Sequence, residues 1–174
     1  IGLVVFAGEA FTQSPLTADQ STLLTLLGRV RSGLIEDGTA IGSALATSVN
    51  RLRDQPSKSK IVVLLTDGLN NAGKVAPQTA AEAAKAMGVK VYTIGAGAQG
   101  EAPVPVKDQF GNQRIVMAKV DVDEAALKKI ADETGGKFFR ATDTDSLKKI
   151  YAEIDRMEKT THAVKKFSKY HELF

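Results

Sequence analysis

Two oxygen-bearing side chains of this 174-residue chain occupy places where a ligand could meet them. Thr39 lies in the run Asp37-Gly38-Thr39-Ala40-Ile41-Gly42, just ahead of a helical pattern, and Asp67 follows the apolar run Ile61 to Leu65 by way of Thr66. A hydroxyl and a carboxylate suit a hard divalent cation such as Mg²⁺, which prefers octahedral oxygen and keeps several waters. Two such groups cannot hold the ion alone. Each residue also fits a purely structural part: Thr39 as the cap of a helix beginning at Ala40, Asp67 as an Asx-turn residue ahead of Gly68. The residues by themselves leave that choice open.

Other chemistry-bearing patterns fail on context. Gly95, Gly97 and Gly100 match G-x-G-x-x-G after a strand, but Glu101, Ala102, Pro103, Val104 and Pro105 follow. A phosphate loop must open a helix, and this segment cannot be one. There is no G-x-x-x-x-G-K-[ST] loop and no G-x-S-x-G elbow, and the two histidines, His162 and His171, lie near the carboxyl end. An enzyme using Asp67 as a phosphoacceptor would need an acidic cluster and a lysine after the next strand, where Gly95 to Ala98 offers neither.

The elements that would position Thr39 and Asp67 are legible from apolar spacing. Lys60 to Gly68, KIVVLLTDG, reads as a central strand of a parallel sheet, because five consecutive branched apolar residues leave no polar face. Asp67 then sits where the chain leaves the sheet at the strand's carboxyl end, where open α/β sheets bind ligands. Ile1 to Phe6 reads as another buried strand with Glu9 to Gln13 as an antiparallel edge partner. Helices are expected from Asp19 to Val30, from Ala40 to about Arg53, from Pro77 to about Met87, from Asp123 to Thr134 and from Asp143 to about Lys159. Val89 to Ile94 and Lys137 to Arg140 complete the strands, and Ala98 to Lys119 is an excursion containing a β-hairpin. The fold class is therefore α/β, Rossmann-like and doubly wound, with a mostly parallel sheet and an antiparallel edge strand.

Bulk composition narrows the chemistry. One domain of this length buries roughly 70% of its unfolded surface without staples, and the absence of cysteine excludes disulfides and thiolate metal sites. A net charge of +3 gives no support for nucleic acid as a partner. No apolar run approaches the roughly 18 residues of a membrane-spanning helix.

Taken together, these stretches resemble a von Willebrand factor type A domain across essentially the whole chain. Asp37 to Gly42 with Ala44 and Leu45 resembles the family's threonine motif, and Ile61 to Gly68 its central strand with the metal-associated aspartate. TDGLNNAG (Thr66 to Gly73), KVYTIGAG (Lys90 to Gly97), TGGKFFRATD (Thr134 to Asp143) and IYAEID (Ile150 to Asp155) resemble the bacterial Bat (aerotolerance) membrane proteins. The resemblance implies a binding module, not an enzyme. It implies a metal-ion-dependent adhesion site for Mg²⁺ or Mn²⁺, with Thr39 binding directly, Asp67 through water or hydrogen bonds, and a partner's carboxylate completing the shell. It also implies protein partners, namely sister Bat proteins or a MoxR-type AAA+ ATPase, in a complex at the bacterial inner membrane with this domain on the periplasmic side.

One departure is as informative as the match. The family's D-x-S-x-S motif, which supplies the remaining ligands after a first central strand, occurs nowhere in the chain. Ile1 corresponds to the family's second strand, so the first strand and first helix are absent and the metal site is incomplete. A gap in mid-sheet leaves backbone groups unpaired, so either the second and central strands pair directly or a second chain fills the gap, as in a homo-oligomer. Residues 1–160 form the domain in this reading. Residues 161–174, with Lys165, Lys166, Phe167, Lys169, Tyr170 and Phe174, form a basic and aromatic juxtamembrane-like tail. A metal-independent scaffold, with Thr39 and Asp67 as caps only, is the alternative.

Overall fold

Runs of branched residues and helical apolar stripes alternate along the chain, and the computed structural model folds them in that order. It describes residues 1–31, 33, 36–57, 59–97, 100–107, 113–120 and 122–171, with side chains described for all of these except 100–120 and 160–171. The first half comprises strands β1 (Leu3–Phe6) and β2 (Ala10–Ser14), helices α1 (Gln20–Leu27) and α2 (Ile41–Arg53), strand β3 (Lys60–Thr66) and helix α3 (Pro77–Ala86). The second comprises strands β4 (Val89–Ala96), β5 (Gly100–Lys107) and β6 (Gln113–Val120), helix α4 (Glu124–Thr134), strand β7 (Phe138–Ala141) and helix α5 (Thr144–His171).

β3, β4 and β7 form a parallel sheet in the order β3-β4-β7, with β3 matched to β4 from Lys60↔Val89 to Thr66↔Gly95. Parallel pairing needs a crossover, and α3 supplies it between β3 and β4. Along β4 the faces alternate. Val89 and Val91 join Val62 and Leu64 in a core built with α2, α3 and α4, while Tyr92 and Ile94 pack with Ile150 and Ile154 of α5 on the other face. The sheet is thus covered on both sides, which is why its strands are apolar runs. A buried polar tie fixes α5: the Glu158 carboxylate accepts from Tyr92 Oη (2.5 Å) and pairs with Lys90 Nζ (2.7 Å).

β1 and β2 pair antiparallel, as expected for an edge strand, but they form a separate two-stranded sheet. Here the structure corrects three expectations. Lys60–Thr66 is not the central strand of its sheet; it stands at one end, and β4 is central. Direct pairing of β1 with β3 does not occur among the described residues, since β1 bonds only β2 and β3 only β4. The expected burial of β1 is also incomplete, because its four residues are only half-buried. The common physical reason is that β3 presents a free edge toward β1 across an apolar slot of about 510 Å³, so neither strand is flanked on its inner side.

Helix ends follow local chemistry. Asp19 caps α1 by accepting from Thr22 N–H, Asp123 caps α4 through Ala126 N–H, and Asp143 bonds Ser146 N–H at 2.7 Å at the start of α5. The backbone of α5 continues to His171 rather than ending near Lys159, consistent with the absence of Gly and Pro between Thr144 and His171. β5 and β6 pair from Gly100↔Val120 to Lys107↔Gln113, which realises the expected hairpin. Its turn cluster, Asp108 to Asn112, lies outside the described residues, as do Ala98 and the end of the tail at Phe174. Because a strand, β5, begins at Gly100, after Gly95 and Gly97, the glycine pattern opens no helix.

Candidate functional site

Three loops meet at the carboxyl edge of the sheet, and backbone hydrogen bonds join them. Ala40 N–H donates to Ala7 O (2.8 Å) and Gly8 N–H to Glu36 O (2.8 Å), tying the end of β1 to the approach to α2. Thr39 N–H donates to Asn71 Oδ1 (2.8 Å), and Asn71 N–H returns a bond to Thr39 O (3.1 Å). Asn70 Oδ1 accepts from Gly42 N–H at 3.4 Å. The loop after β3 therefore reaches back and supplies an oxygen to the first turn of α2, whose orphan N–H groups need one.

This arrangement removes the structural parts that Thr39 and Asp67 could have played. The N-cap of α2 is Ala40, with no side-chain cap bond, so Thr39 is not the cap. Gly68 N–H is bonded by Thr66 Oγ1 (3.3 Å), so the turn after β3 is closed by the threonine and not by an Asp67 Asx-turn. Among the described residues, neither Thr39 Oγ1 nor the Asp67 carboxylate takes part in a hydrogen bond. Thr39 is half-buried and Asp67 exposed.

The two loops are also in contact. A Cβ built on Gly68 would lie 2.7 Å from Thr39 Oγ1, so the residue beside Asp67 must be glycine for the hydroxyl to sit where it does. Gly73 holds φ +91° where a side chain would strike Ser43 Oγ, which in turn accepts from Lys74 N–H (3.2 Å). Beside Asp37 and Gly38 a hollow of about 300 Å³ is lined by Phe6, Phe11, Val30 and Arg31.

As a donor set, a hydroxyl and a carboxylate have the right chemistry for a hard cation and the wrong number, since octahedral Mg²⁺ takes about six oxygens. Among the described residues no group of three or more His, Cys, Asp or Glu could hold a metal ion. Sequence reasoning nominated Thr39 and Asp67 but missed Asn70 and Asn71, which it read only as part of a loop rich in Asn and Gly. The side-chain amides act on a segment about thirty residues earlier, a link that local spacing does not encode.

Open α/β sheets bind ligands at the carboxyl edge, where Thr39 and Asp67 lie, but the fold by itself names no activity. Residues 1–153 match the model of the von Willebrand factor type A domain, and the chain belongs to that family. A solved aerotolerance-related membrane protein from Bacteroides fragilis is 32% identical, with a TM-score of 0.72 over 89% of this chain and 78% of that one. The conserved hypothetical protein BatB from Bacteroides thetaiotaomicron is 31% identical, with a TM-score of 0.69 over 91% and 78%. An uncharacterized protein from Borreliella burgdorferi is 27% identical over 95% of this chain and 48% of its own length. The chain spans about half the length of the curated relatives it matches. Proximal thread matrix protein 1 of the mussel byssus shares the fold at 23% identity and a TM-score of 0.56, over 80% of this chain and 32% of that one, in a structure with a zinc-occupied MIDAS motif. The Bacteroides fragilis relative is described as a membrane protein. Among the described residues here, no helix is long and apolar enough to cross a membrane.

Proposed function

We propose that this chain is a protein-binding module in which Thr39 and Asp67 present oxygens to Mg²⁺ or Mn²⁺ at the carboxyl edge, with a partner's carboxylate bridging to the ion. The observation that carries the reading is that both side chains are released from local structural work: Ala40 occupies the cap position, Thr66 closes the turn, and Asn71 positions the Thr39 backbone. Two protein oxygens leave about four positions for water, the partner and further polypeptide. The hollow beside Asp37, with Phe6 and Phe11 in its wall, offers a partner apolar contact next to the ion. Family membership and the zinc-occupied motif of the byssus protein support a divalent ion.

In this proposal the module works within a bacterial inner-membrane complex, with the domain on the periplasmic side and residues 161–174 as a juxtamembrane segment. Sister Bat-type proteins and a MoxR-type AAA+ ATPase are the proposed partners, and no catalytic step is assigned. The likeness to aerotolerance-related proteins supports this setting. The test is calorimetric titration with Mg²⁺ and then Mn²⁺ after chelator treatment, with Asp67→Ala as control. Saturable binding that Asp67→Ala removes is expected; binding that survives the substitution, or none at all in the full-length protein, overturns the metal reading in favour of a metal-independent scaffold.

A further inference from the structure

The hairpin of β5 and β6 has one edge closed to further pairing and one edge open. Its two strands, of 8 residues each, form a sheet of their own. Among the described residues neither strand packs more than marginally on any other element. A two-stranded ribbon by itself is only marginally stable in water, and a third strand or a covering element is what secures it. The register of this ribbon shows which edge can accept one.

Proline has no N–H, so within an unbroken antiparallel ladder it stands only where the pair is not hydrogen-bonded. The ladder runs unbroken from Gly100↔Val120 to Lys107↔Gln113 and sets Pro103 opposite Met117 and Pro105 opposite Ile115. Ala102↔Ala118, Val104↔Val116 and Val106↔Arg114 are therefore the bonded pairs, and the residues between them turn their backbone groups outward. On β5 the outward residues are Glu101, Pro103, Pro105 and Lys107, so that edge lacks its middle donors. On β6 they are Gln113, Ile115, Met117 and Lys119, each with both an N–H and a C=O. The charged residues of β6, Arg114 and Lys119, flank an uncharged run from Ile115 to Ala118. Native sheets defend their edges with proline, charge or a bulge; β5 has that defence and the middle of β6 lacks it.

We propose that the outer edge of β6 is a self-association site, where β6 of a second copy of this chain pairs antiparallel about a two-fold axis at Val116. Of the two-fold antiparallel registers, only the one centred on Val116 engages all of Gln113, Ile115, Met117 and Lys119 with outward groups of the copy. It sets Ile115 opposite Met117, Arg114 opposite Ala118 and Lys119 opposite Gln113, so no like charges meet. Parallel pairing in register would instead set Arg114 against Arg114 and Lys119 against Lys119. The product is a sheet in the order β5-β6-β6-β5, which has strands enough for independent stability. Both of its outer edges are the proline-bearing edges of β5, so assembly stops at a dimer instead of growing into a fibre. The proposal stands whether or not Thr39 and Asp67 bind a metal.

The chain has no cysteine, so a single introduced thiol reports the register. At the axis Val116 meets its own copy as a non-hydrogen-bonded pair with Cα atoms about 4.5 Å apart, within reach of a disulfide. Ala118 is offset from its copy by four residues, about 13 Å along the strands, which is beyond that reach. Under mild oxidation Val116→Cys is expected to give a disulfide-linked dimer about tenfold faster, or more, than Ala118→Cys. Adding Met117→Pro to Val116→Cys removes an outward donor without removing a β5–β6 bond, and should slow linking by about tenfold at unchanged Tm. Equal linking by the two thiols, or none by either, overturns the proposal, and so does linking that persists in full with Met117→Pro. Residue-level hydrogen exchange is the independent check: raising the protein concentration should protect the Ile115 and Met117 amides and leave those of Arg114 and Val116 as they were. Protection that needs a different protein assigns the edge to that protein and overturns self-pairing.

Discussion

Replacing Thr39 by alanine and by serine separates what its methyl and its hydroxyl each do. The hydroxyl makes no hydrogen bond among the described residues, whereas the backbone bonds to Asn71 remain in either variant. The Thr39 methyl packs on Gly68, where a Cβ would lie 3.4 Å from it, and the residue is half-buried. A fully buried methyl group is worth about 0.8 kcal/mol, so half of that, about 0.4 kcal/mol, is the expected loss in both variants. For a domain of this size that lowers Tm by about 1–2 °C. A lost helix cap would instead cost about 1 kcal/mol or more in alanine alone. Urea denaturation gives the stability and calorimetry with Mg²⁺ the binding. Thr39→Ala and Thr39→Ser should unfold within about 0.3 kcal/mol of each other, while only Thr39→Ala loses the ion by tenfold or more. If serine restores stability that alanine forfeits, the hydroxyl is a structural group and the reasoning fails. Equal Mg²⁺ binding by all three proteins refutes its role as a ligand.

Gly68→Ala drives a Cβ to 2.7 Å from Thr39 Oγ1, so ion binding should fall along with about 1–3 kcal/mol of stability, checked by calorimetry and urea titration. Gly136→Ala would place a Cβ 1.9 Å from Val91 O in the middle of the parallel sheet; a loss of about 3 kcal/mol or more is expected, read as a collapse of Tm. Burial and the neighbouring Glu158 carboxylate raise the Tyr92 phenol above its ordinary value. The raised folded-state value means that its contribution is intact below about pH 10 and is lost as pH climbs from there toward the folded pKa. Tyr92→Phe should therefore flatten the alkaline decline in stability measured by denaturant titration above pH 10, and an unchanged decline would assign it to other groups. The Asp143 carboxyl is lowered by bonds from the Ser146 backbone and the Thr142 hydroxyl, so stability present above its unfolded value near pH 4 is lost as pH falls through the folded pKa. Asp143→Ala should remove that part of the acid transition, followed by far-UV circular dichroism.

How much could be read beforehand depended on the range of the interaction. β3, β4 and the five helices follow from runs such as Ile61 to Leu65 and from Asp19, Asp123 and Asp143 at helix starts, because strand burial and capping are decided within a few residues. The placement of β3 at an end of its sheet was not legible, since LVVF and IVVLL carry the same apolar signal whether or not a neighbour is present. The site divided in the same way. Thr39 and Asp67 were nominated by residue type and place, but their freedom from capping depends on Ala40, Thr66 and Asn71 taking up the local bonds, a distribution fixed only by the meeting of distant loops.

The reciprocal pair between Thr39 and Asn71 has a mechanical consequence. A partner pulling on Thr39 draws on Asn71 through two backbone-anchored bonds of 2.8 and 3.1 Å, so tension passes at once into both α2 and the segment leaving β3. From there the force runs along β3, whose register with β4 holds from Lys60 to Thr66, and loads that ladder in shear, many bonds sharing the strain together instead of parting one after another. Among the described residues no such ladder joins β3 to β1, so under tension the domain should yield first on that side.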